Sequence, residues 1–185
     1  MSVAYYGKAD YEAAHNYAEQ ALGVARKRYP KQSGELAEVY YHLGRAHIAL
    51  GQINKAEDDF DDALSIYKAI SGFKHPDYAR VQAQTGFCYA LRRLYLRADA
   101  DLGKAIAVQQ DKLGPVHLDL AQSYLFMAAN CWMQARYTPA YDYALKAANI
   151  RRMVLGKHHP AVDMAALTAA LCLAERLARL GLSGY

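Results

Sequence analysis

The chain has 185 residues, of which 54% are hydrophobic and 22% are charged, and its formal net charge is +4. This composition allows a substantial apolar core and excludes a largely disordered chain. Acidic and basic residues are interspersed, without the clustered basic stripe typical of nucleic-acid-binding proteins, so we expect no nucleic-acid partner.

The cysteines and the apolar runs indicate where the protein works. Cys88, Cys131 and Cys172 show no CxxC spacing and fall in apolar stretches, which favours buried free thiols in a reducing compartment. The first residues show no signal-peptide pattern. The longest apolar run, residues 164–174, is shorter than the ~20 residues that cross a bilayer. We therefore expect a cytoplasmic location and no membrane association.

Eight helices are predicted in chain order from the spacing of apolar residues and the punctuation between them. They cover residues 11–28, 35–50, 54–71, 76–93, 97–113, 118–135, 139–155 and 160–181. Ser33 is the expected N-cap of the second helix, and Asn54 with Glu57 predicts a capping box at the third. Pro76 suits the first turn of the fourth helix, and Thr138 is the expected N-cap of the seventh. The short connections require antiparallel neighbours.

The same residue classes recur every 42 residues. One column is Ala14, Ala56, Ala98 and Ala140; another is Ala21, Ala63, Ala105 and Ala147; a third is Gly44, Gly86, Ala128 and Ala170. Such a period predicts an all-α solenoid of antiparallel helix pairs, in which the small residues allow close helix contacts. We divide a single domain, residues 1–185, into a half-unit at 8–30, units at 34–72, 76–114 and 118–156, and a terminal helix at 160–180.

The column residues resemble those of a known repeat family. Leu43-Gly44, followed by Ala56, Phe60 and Ala63, stand at the key positions of the tetratricopeptide repeat, and the resemblance covers essentially the whole chain. The period of 42, against about 34 in the common form, is similar to that of the kinesin light chain type of repeat. The resemblance implies a right-handed superhelix whose concave surface, lined by the first helix of each pair, binds a protein or peptide.

The concave surface can be assigned from the helical spacing of the first helices. The predicted partner groove contains Glu38, Tyr41, His42, Arg45, Arg80, Gln84, Phe87, Gln122, Leu125 and Phe126. Its wall grades from polar to apolar, which suits a peptide or an amphipathic helix. We expect Trp132 and Met133 in the core rather than in the groove.

The sequence offers no pattern for catalysis. His75, His117 and His159 recur with the repeat, but one repeat apart they cannot share a metal ion, and we interpret them as turn residues near helix starts. HExxH, a Gly-rich phosphate loop and GxSxG are absent from the sequence. We predict no catalytic residue, no metal site, no cofactor and no enzyme.

The last predicted helix is apolar nearly all round and has no second helix after it, which is typical of a buried helix. Either the chain belongs to a longer array, or its ends pack on further copies through Met164, Leu167 and Leu171. The leading prediction is a non-enzymatic module that binds a partner in the groove. The alternatives are a self-assembling dimeric or oligomeric scaffold and a regulatory repeat domain of a larger protein or complex.

Overall fold

The structure, a computed structural model, describes the backbone of residues 8–179 and, within it, the side chains of residues 16, 17 and 19–179. Every regular element in this part of the chain is an α-helix. The helices are α1 (Lys8–Arg28), α2 (Gly34–Ala49), α3 (Ile53–Ile70), α4 (Pro76–Leu91), α5 (Tyr95–Leu113), α6 (Leu118–Met133), α7 (Tyr137–Leu155) and α8 (Pro160–Arg179). None of these helices is long and apolar enough to cross a membrane.

Each helix packs on the helices before and after it, and α4 also packs along α6 and, to a smaller extent, along α2. The pairs α2/α3, α4/α5 and α6/α7 therefore stack in series, with α1 before them and α8 after them. This arrangement confirms the predicted all-α solenoid of helix pairs.

Small residues let the two helices of a pair approach closely. A Cβ atom at Gly44 would lie 2.6 Å from Cε1 of Phe60, and one at Gly86 would lie 2.9 Å from Cγ of Leu102. At the same position of the third pair, Ala128 packs in one cluster with Ala144. A glycine on the first helix thus accompanies a large residue on the second, and an alanine accompanies an alanine.

Two of the predicted signals for a helix start, Ser33 and Pro76, are confirmed. The Oγ of Ser33 accepts a hydrogen bond from the N–H of Leu36 (3.2 Å), as an N-cap does. Pro76 occupies the first turn of α4, directly after His75. The N–H of Asp77 donates to Nδ1 of His75 (3.3 Å), so this histidine caps the helix.

The predicted caps at Asn54 and Thr138 are wrong, because the second helix of each pair begins earlier. The residue before α3 is Gln52 and the residue before α7 is Arg136, and neither caps its helix with its side chain. The preceding turn is closed by backbone hydrogen bonds instead, from the N–H of Gln52 to the carbonyl of His47 (2.8 Å) and from that of Arg136 to Cys131 (2.9 Å).

The same turn explains why α4 and α6 end two residues before their predicted ends. Arg93 and Ala135 adopt left-handed backbone conformations, with φ of 62° and 58°, at the position where the first complete pair has Gly51 (φ 74°). Only Gly adopts this conformation without strain, so a residue-type pattern does not reveal the turn. The predicted end of α8 at residue 181 lies outside the described residues.

Candidate partner groove

The first helices of the three pairs, with the C-terminal part of α7 and the start of α8, surround a concave cavity of about 620 Å³, here called the groove cavity. Its lining includes six of the ten predicted groove residues: Tyr41, Arg45, Gln84, Phe87, Gln122 and Phe126. The lining residues that sequence reasoning missed are Ile48, Leu118, Asp119, Arg151, Leu155 and Ala161.

An aromatic pair forms one part of the cavity wall. The rings of Phe87 on α4 and Phe126 on α6 stack with their centroids 4.5 Å apart and their planes 15° apart. Phe126 is 8% exposed and Phe87 is half-buried, so the pair belongs partly to the core and partly to the cavity. It joins two successive repeat units and provides an apolar wall.

Polar side chains surround Tyr41, which lines the groove cavity on α2. The guanidinium carbon of Arg80 lies 4.3 Å from the centroid of the Tyr41 ring, and that of Arg45 lies 5.7 Å from it. The amide of Gln84 donates to the Tyr41 hydroxyl at 3.5 Å. Tyr41 is therefore fixed by residues of its own unit and of the next unit.

Glu38 and Arg80 form a two-bond ion pair between units. The two guanidinium nitrogens of Arg80 donate to the two carboxylate oxygens of Glu38 at 3.0 and 2.6 Å, and the Tyr67 hydroxyl donates to Glu38 Oε2 at 3.0 Å. The hydrogen bond from Arg80 holds the pKa of Glu38 below its usual range against the opposing effect of burial. Burial and the bond to Glu38 raise the pKa of Tyr67. The charges of Glu38 and Arg80 largely satisfy each other.

Glu38 and His42 lie beside the groove cavity rather than in it. His42 Nε2 lies 3.2 Å from Glu38 Oε1. Both residues line a second concavity, of about 680 Å³, together with Tyr67, Ile70 and Asp77. Eight of the ten predicted groove residues thus line one or the other of two concave surfaces, and Arg80 and Leu125 line neither.

Arg151 is the lining residue whose absence from the prediction matters most. Its guanidinium donates to Gln122 Oε1 (2.8 Å) and to the carbonyl of Ala161 (3.1 Å), which are both neutral, and burial lowers its pKa. It lies on α7, a second helix, whereas only first helices were considered. The structure relates it to a contact of the first pair: Arg151 stands two periods after Tyr67 and Gln122 two periods after Glu38, so each bond joins residues 29 apart in the chain.

Leu125 and the two predicted core residues Trp132 and Met133 lie outside the groove cavity. Leu125 is half-buried and packs against the core, as does Met133. Trp132 was expected in the core and is 46% exposed, so that expectation is wrong. The equivalent residue of the preceding unit is Ala90, which is fully buried, and an indole is too large for such a space.

Helix α8 is buried on one side only. Val162, Ala165, Ala169 and Cys172 are buried, whereas the predicted self-association residues Met164, Leu167 and Leu171 are 46%, 54% and 56% exposed. Helical spacing places the two sets on opposite faces. The expectation of a helix buried all round is therefore wrong for the described residues, and an apolar face remains open to solvent.

The repeated histidines have a structural role. Nδ1 of His117 accepts the N–H of Asp119 and Nδ1 of His159 accepts that of Ala161, each at 3.1 Å, as His75 does at α4. The interpretation of these residues as turn residues at helix starts is confirmed. Within the described residues, no group of three or more His, Cys, Asp and Glu side chains is arranged to hold a metal ion.

Two models of one known protein family together match most of the described chain. One model described as tetratricopeptide repeat matches residues 35–111, and a second matches residues 120–161. The human clustered mitochondria protein homolog (Homo sapiens) is 20% identical over 121 residues, which are 65% of this chain and 9% of that protein. The N-lysine methyltransferase SMYD2-B of Danio rerio is 35% identical over 66 residues, which are 36% of this chain and 15% of that protein. The chain thus spans a small part of the length of these relatives.

Solved structures share the fold over nearly the whole chain. BtubC (BKLC) from P. vanneervenii superposes with a TM-score of 0.66 at 21% identity and covers 95% of this chain and 76% of its own. A putative kinesin light chain of Podosopora anserina with nearly identical TPR-like repeats gives a TM-score of 0.67 at 18% identity, covering 93% of this chain and 82% of its own. The predicted resemblance to repeats of the kinesin light chain type is confirmed.

Proposed function

Because this chain belongs to the tetratricopeptide repeat family, whose members generally bind proteins and are generally not enzymes, we propose that its groove cavity binds a peptide segment or an amphipathic helix of a partner protein. In the groove cavity the proposed contacts are Tyr41, Arg45, Gln84, Phe87, Gln122 and Phe126, with Arg151 added from α7. The other residues predicted from the sequence, Glu38, His42, Arg80 and Leu125, lie outside the cavity and are proposed to contact the parts of a longer segment that extend beyond it.

The observation that carries this proposal is the stacked pair Phe87 and Phe126 in the wall of the groove cavity. An apolar side chain that is buried against these rings contributes about 1.5–3 kcal/mol to binding. A cavity of about 620 Å³ has room for a few side chains and not for a folded domain. A short segment with one apolar anchor therefore fits the space.

Hydrogen-bond donors around the rings complement such a segment. The guanidinium groups of Arg45 and Arg151 and the amide of Gln84 border the same cavity. Backbone carbonyl groups of a bound peptide are suitable acceptors for these donors, and a residue anchored at the rings fixes the register of the peptide. Specificity then arises from the anchor and affinity from both sets of contacts.

The test begins with selection of peptides from a random library displayed on phage, with the whole chain immobilised. Affinities of the selected peptides are then measured by fluorescence polarisation for the unchanged protein, for Phe126→Glu and for Arg45→Glu. Phe73→Glu is the matched control, because Phe73 is 57% exposed on the α3–α4 connection and lies outside the groove cavity. Circular dichroism verifies that each variant is folded.

We expect Phe126→Glu to weaken binding by at least about tenfold, which corresponds to 1.4 kcal/mol, while Phe73→Glu leaves it unchanged. Arg45 is exposed, so Arg45→Glu tests the same cavity without disturbing the core. A library that yields no binder, or binders that tolerate both groove variants, contradicts the proposal.

Self-association through α8 is a second candidate function, supported by the exposed apolar face of Met164, Leu167 and Leu171. Light scattering on a size-exclusion column at increasing concentration should show a dimer or a larger species, and Leu171→Glu should return it to a monomer. A monomer throughout, or a dimer that persists in the variant, contradicts this candidate. A regulatory role within a larger protein or complex stays a prediction, as do the cytoplasmic location and the expected absence of nucleic-acid, membrane, metal and cofactor binding.

A further inference from the structure

Helix α1 has an exposed apolar face, here called the head face, which consists of Tyr17, Ala21 and Val24. Tyr17 is 72% exposed, Val24 is 60% exposed and Ala21 is exposed as well. By the 42-residue period these positions correspond to Asp59, Ala63 and Ile66 of α3, all of which are buried. In the complete pairs, the first helix of the same unit covers this face.

Helix α8 has a complementary face, here called the tail face, which consists of Ala166, Ala170 and Leu173. Ala166 and Ala170 are exposed and Leu173 is half-buried. Ala170 corresponds to Gly44 and Gly86, which are buried against Phe60 and Leu102 of the second helix of their unit.

Contacts inside the complete units join the positions that are equivalent to these two faces. Gln82, at the position of Ala166, donates to Asp101, at the position of Tyr17, over 3.3 Å. Nδ1 of His47, at the position of Leu173, lies 2.6 Å from Oδ2 of Asp59, which is again at the position of Tyr17. Head and tail faces are thus the two halves of the contact that joins α2 to α3 and α4 to α5.

We propose that the tail face of one copy of this chain binds the head face of a second copy, so that α8 and α1 form a helix pair like those within each unit. Different surfaces meet in this contact, so it does not close into a symmetric dimer and can add further copies in a row. The inference is independent of groove binding, and its tail face differs from the α8 face of Met164, Leu167 and Leu171 on which the self-association candidate rests.

The size of the side chains agrees with such a pairing. The tail face has small residues at Ala166 and Ala170, and Tyr17 of the head face supplies the bulk at the position between Ala166 and Leu173. In the units, bulk on one helix likewise accompanies small residues on the other, as at Phe60 and Gly44. Polar partners such as Gln82 and Asp101 are replaced by apolar residues on both faces.

The charges at one end of the contact are also complementary. The first turn of α2 lies near the last turn of α3, where a Cβ at Gly34 would be 3.9 Å from Cδ1 of Ile70. The equivalent of Ile70 in α1 is Arg28, which follows Lys27, and the first turn of α8 contains Asp163. The antiparallel pairing brings this carboxylate towards Lys27 and Arg28 of the second copy. Asp163 stands at the position of the fully buried Ala37 and Ala79, so an ion pair with these basic residues is needed to offset its burial.

Light scattering on the whole chain, over about a hundredfold range of concentration, tests the proposal with one variant of each face. Val24→Glu places a charge in the head face and Ala170→Glu places one in the tail face. Ala107→Glu is the matched control, because Ala107 is exposed on α5 in the middle of the array. All three positions are exposed in helices, so the thermal melt should not move, and Tyr17→Glu provides a second head variant.

We expect the unchanged chain and the Ala107→Glu control to grow in mass with concentration, and each face variant alone to remain a monomer. An equimolar mixture of Val24→Glu and Ala170→Glu retains one intact head and one intact tail, so it should form a dimer that grows no further. Formation of this dimer is the specific signature of head-to-tail binding.

A monomeric unchanged chain at every concentration overturns the proposal, whatever other protein covers these faces. Association that survives in Val24→Glu and Tyr17→Glu but is lost in Ala170→Glu also overturns it, in favour of pairing between two α8 helices. Peptide binding is measured on the same variants and should be unchanged. A failure of head-to-tail binding is therefore distinguishable from a failure of the groove proposal.

Discussion

Replacement of Gly44 by alanine tests how closely the helices of a pair approach. An added Cβ would lie 2.6 Å from Cε1 and 2.8 Å from Cδ1 and Cζ of Phe60, whereas carbon atoms in ordinary contact are about 3.5–4.0 Å apart. Phe60 is fully buried, so its ring cannot turn away into solvent. Either the ring or the whole of α2 must move.

Two opposing effects set the size of the change. Overpacking of a close-packed core costs about 1–3 kcal/mol, and contact with three ring atoms of a fully buried side chain puts Gly44→Ala at the upper end. Alanine is favoured over glycine inside a helix by about 1 kcal/mol. The expected net loss in free energy of unfolding is therefore about 2 kcal/mol, or a fall in Tm of about 4–8 °C for a chain of this size.

Gly103→Ala is the matched control. Gly103 lies inside α5, and an added Cβ meets nothing within 4 Å, so only the helix-propensity gain applies. This variant should be more stable than the unchanged protein by about 0.5–1 kcal/mol. Urea unfolding followed by circular dichroism measures both variants, and the difference between them isolates the cost of the contact with Phe60.

Equal effects of the two substitutions would refute the reasoning, because they would mean that the contact at Phe60 can relax without cost. A double variant sharpens the test. Phe60→Ala provides space at the second helix, as Ala144 does opposite Ala128, so it should reduce the cost of Gly44→Ala. Additive effects of Gly44→Ala and Phe60→Ala would also contradict the proposed contact.

Three further predictions concern the turns, a charged group and a thiol. Arg93→Gly should stabilise the protein by about 0.5 kcal/mol in thermal melts, since it removes left-handed strain of about 1–2 kcal/mol and loses less in chain entropy; Gly51→Ala should have the opposite sign. The pKa of Glu38 is lowered in the folded state, so its contribution to stability is present above its unfolded pKa of about 4.3 and is lost as the pH falls through the folded value. Glu38→Gln should therefore reduce the loss of unfolding free energy at acid pH. An unchanged curve of stability against pH would contradict this. Burial raises the pKa of Cys88 to about 12, so in a variant without the other two cysteines a thiol reagent at pH ~8 should label it slowly and only through opening, and rapid labelling of the folded protein would contradict its burial.

The fold was predictable because the repeat encodes it several times. Ala56, Ala98 and Ala140 occupy one buried column, and three copies of one signal determine the helix order and the pairing even where one copy is weak. The boundaries between paired helices were less predictable. The turns at Arg93 and Ala135 are formed by backbone hydrogen bonds and by these residues in the left-handed conformation. Neither arginine nor alanine favours that conformation, so the sequence does not indicate it.

The candidate site was predictable only in part, from residues of the first helices. Helical spacing on the first helices gave Tyr41, Phe87 and Phe126 as residues on the concave side, and the structure puts all three in the lining of the groove cavity. Arg151 lies on α7, the second helix of its pair. Whether its side chain reaches the groove cavity depends on how α7 packs against α6, and the spacing of residues within one helix does not reveal this packing. The ion pair of Glu38 and Arg80 joins positions 42 residues apart, so its geometry depends on the stacking of units.

The packing of each helix on its near neighbours alone also bears on how the chain folds. Contacts that are local in sequence close short loops, so a unit such as α4/α5 can form its own interface before the rest of the array is in place. In an array of this kind, order spreads from any formed pair to the next one, and it is lost first from the outermost helices. Amide hydrogen exchange is therefore expected to be slowest in α4–α6 and progressively faster towards α1 and α8, because the terminal helices have a neighbour on one side only.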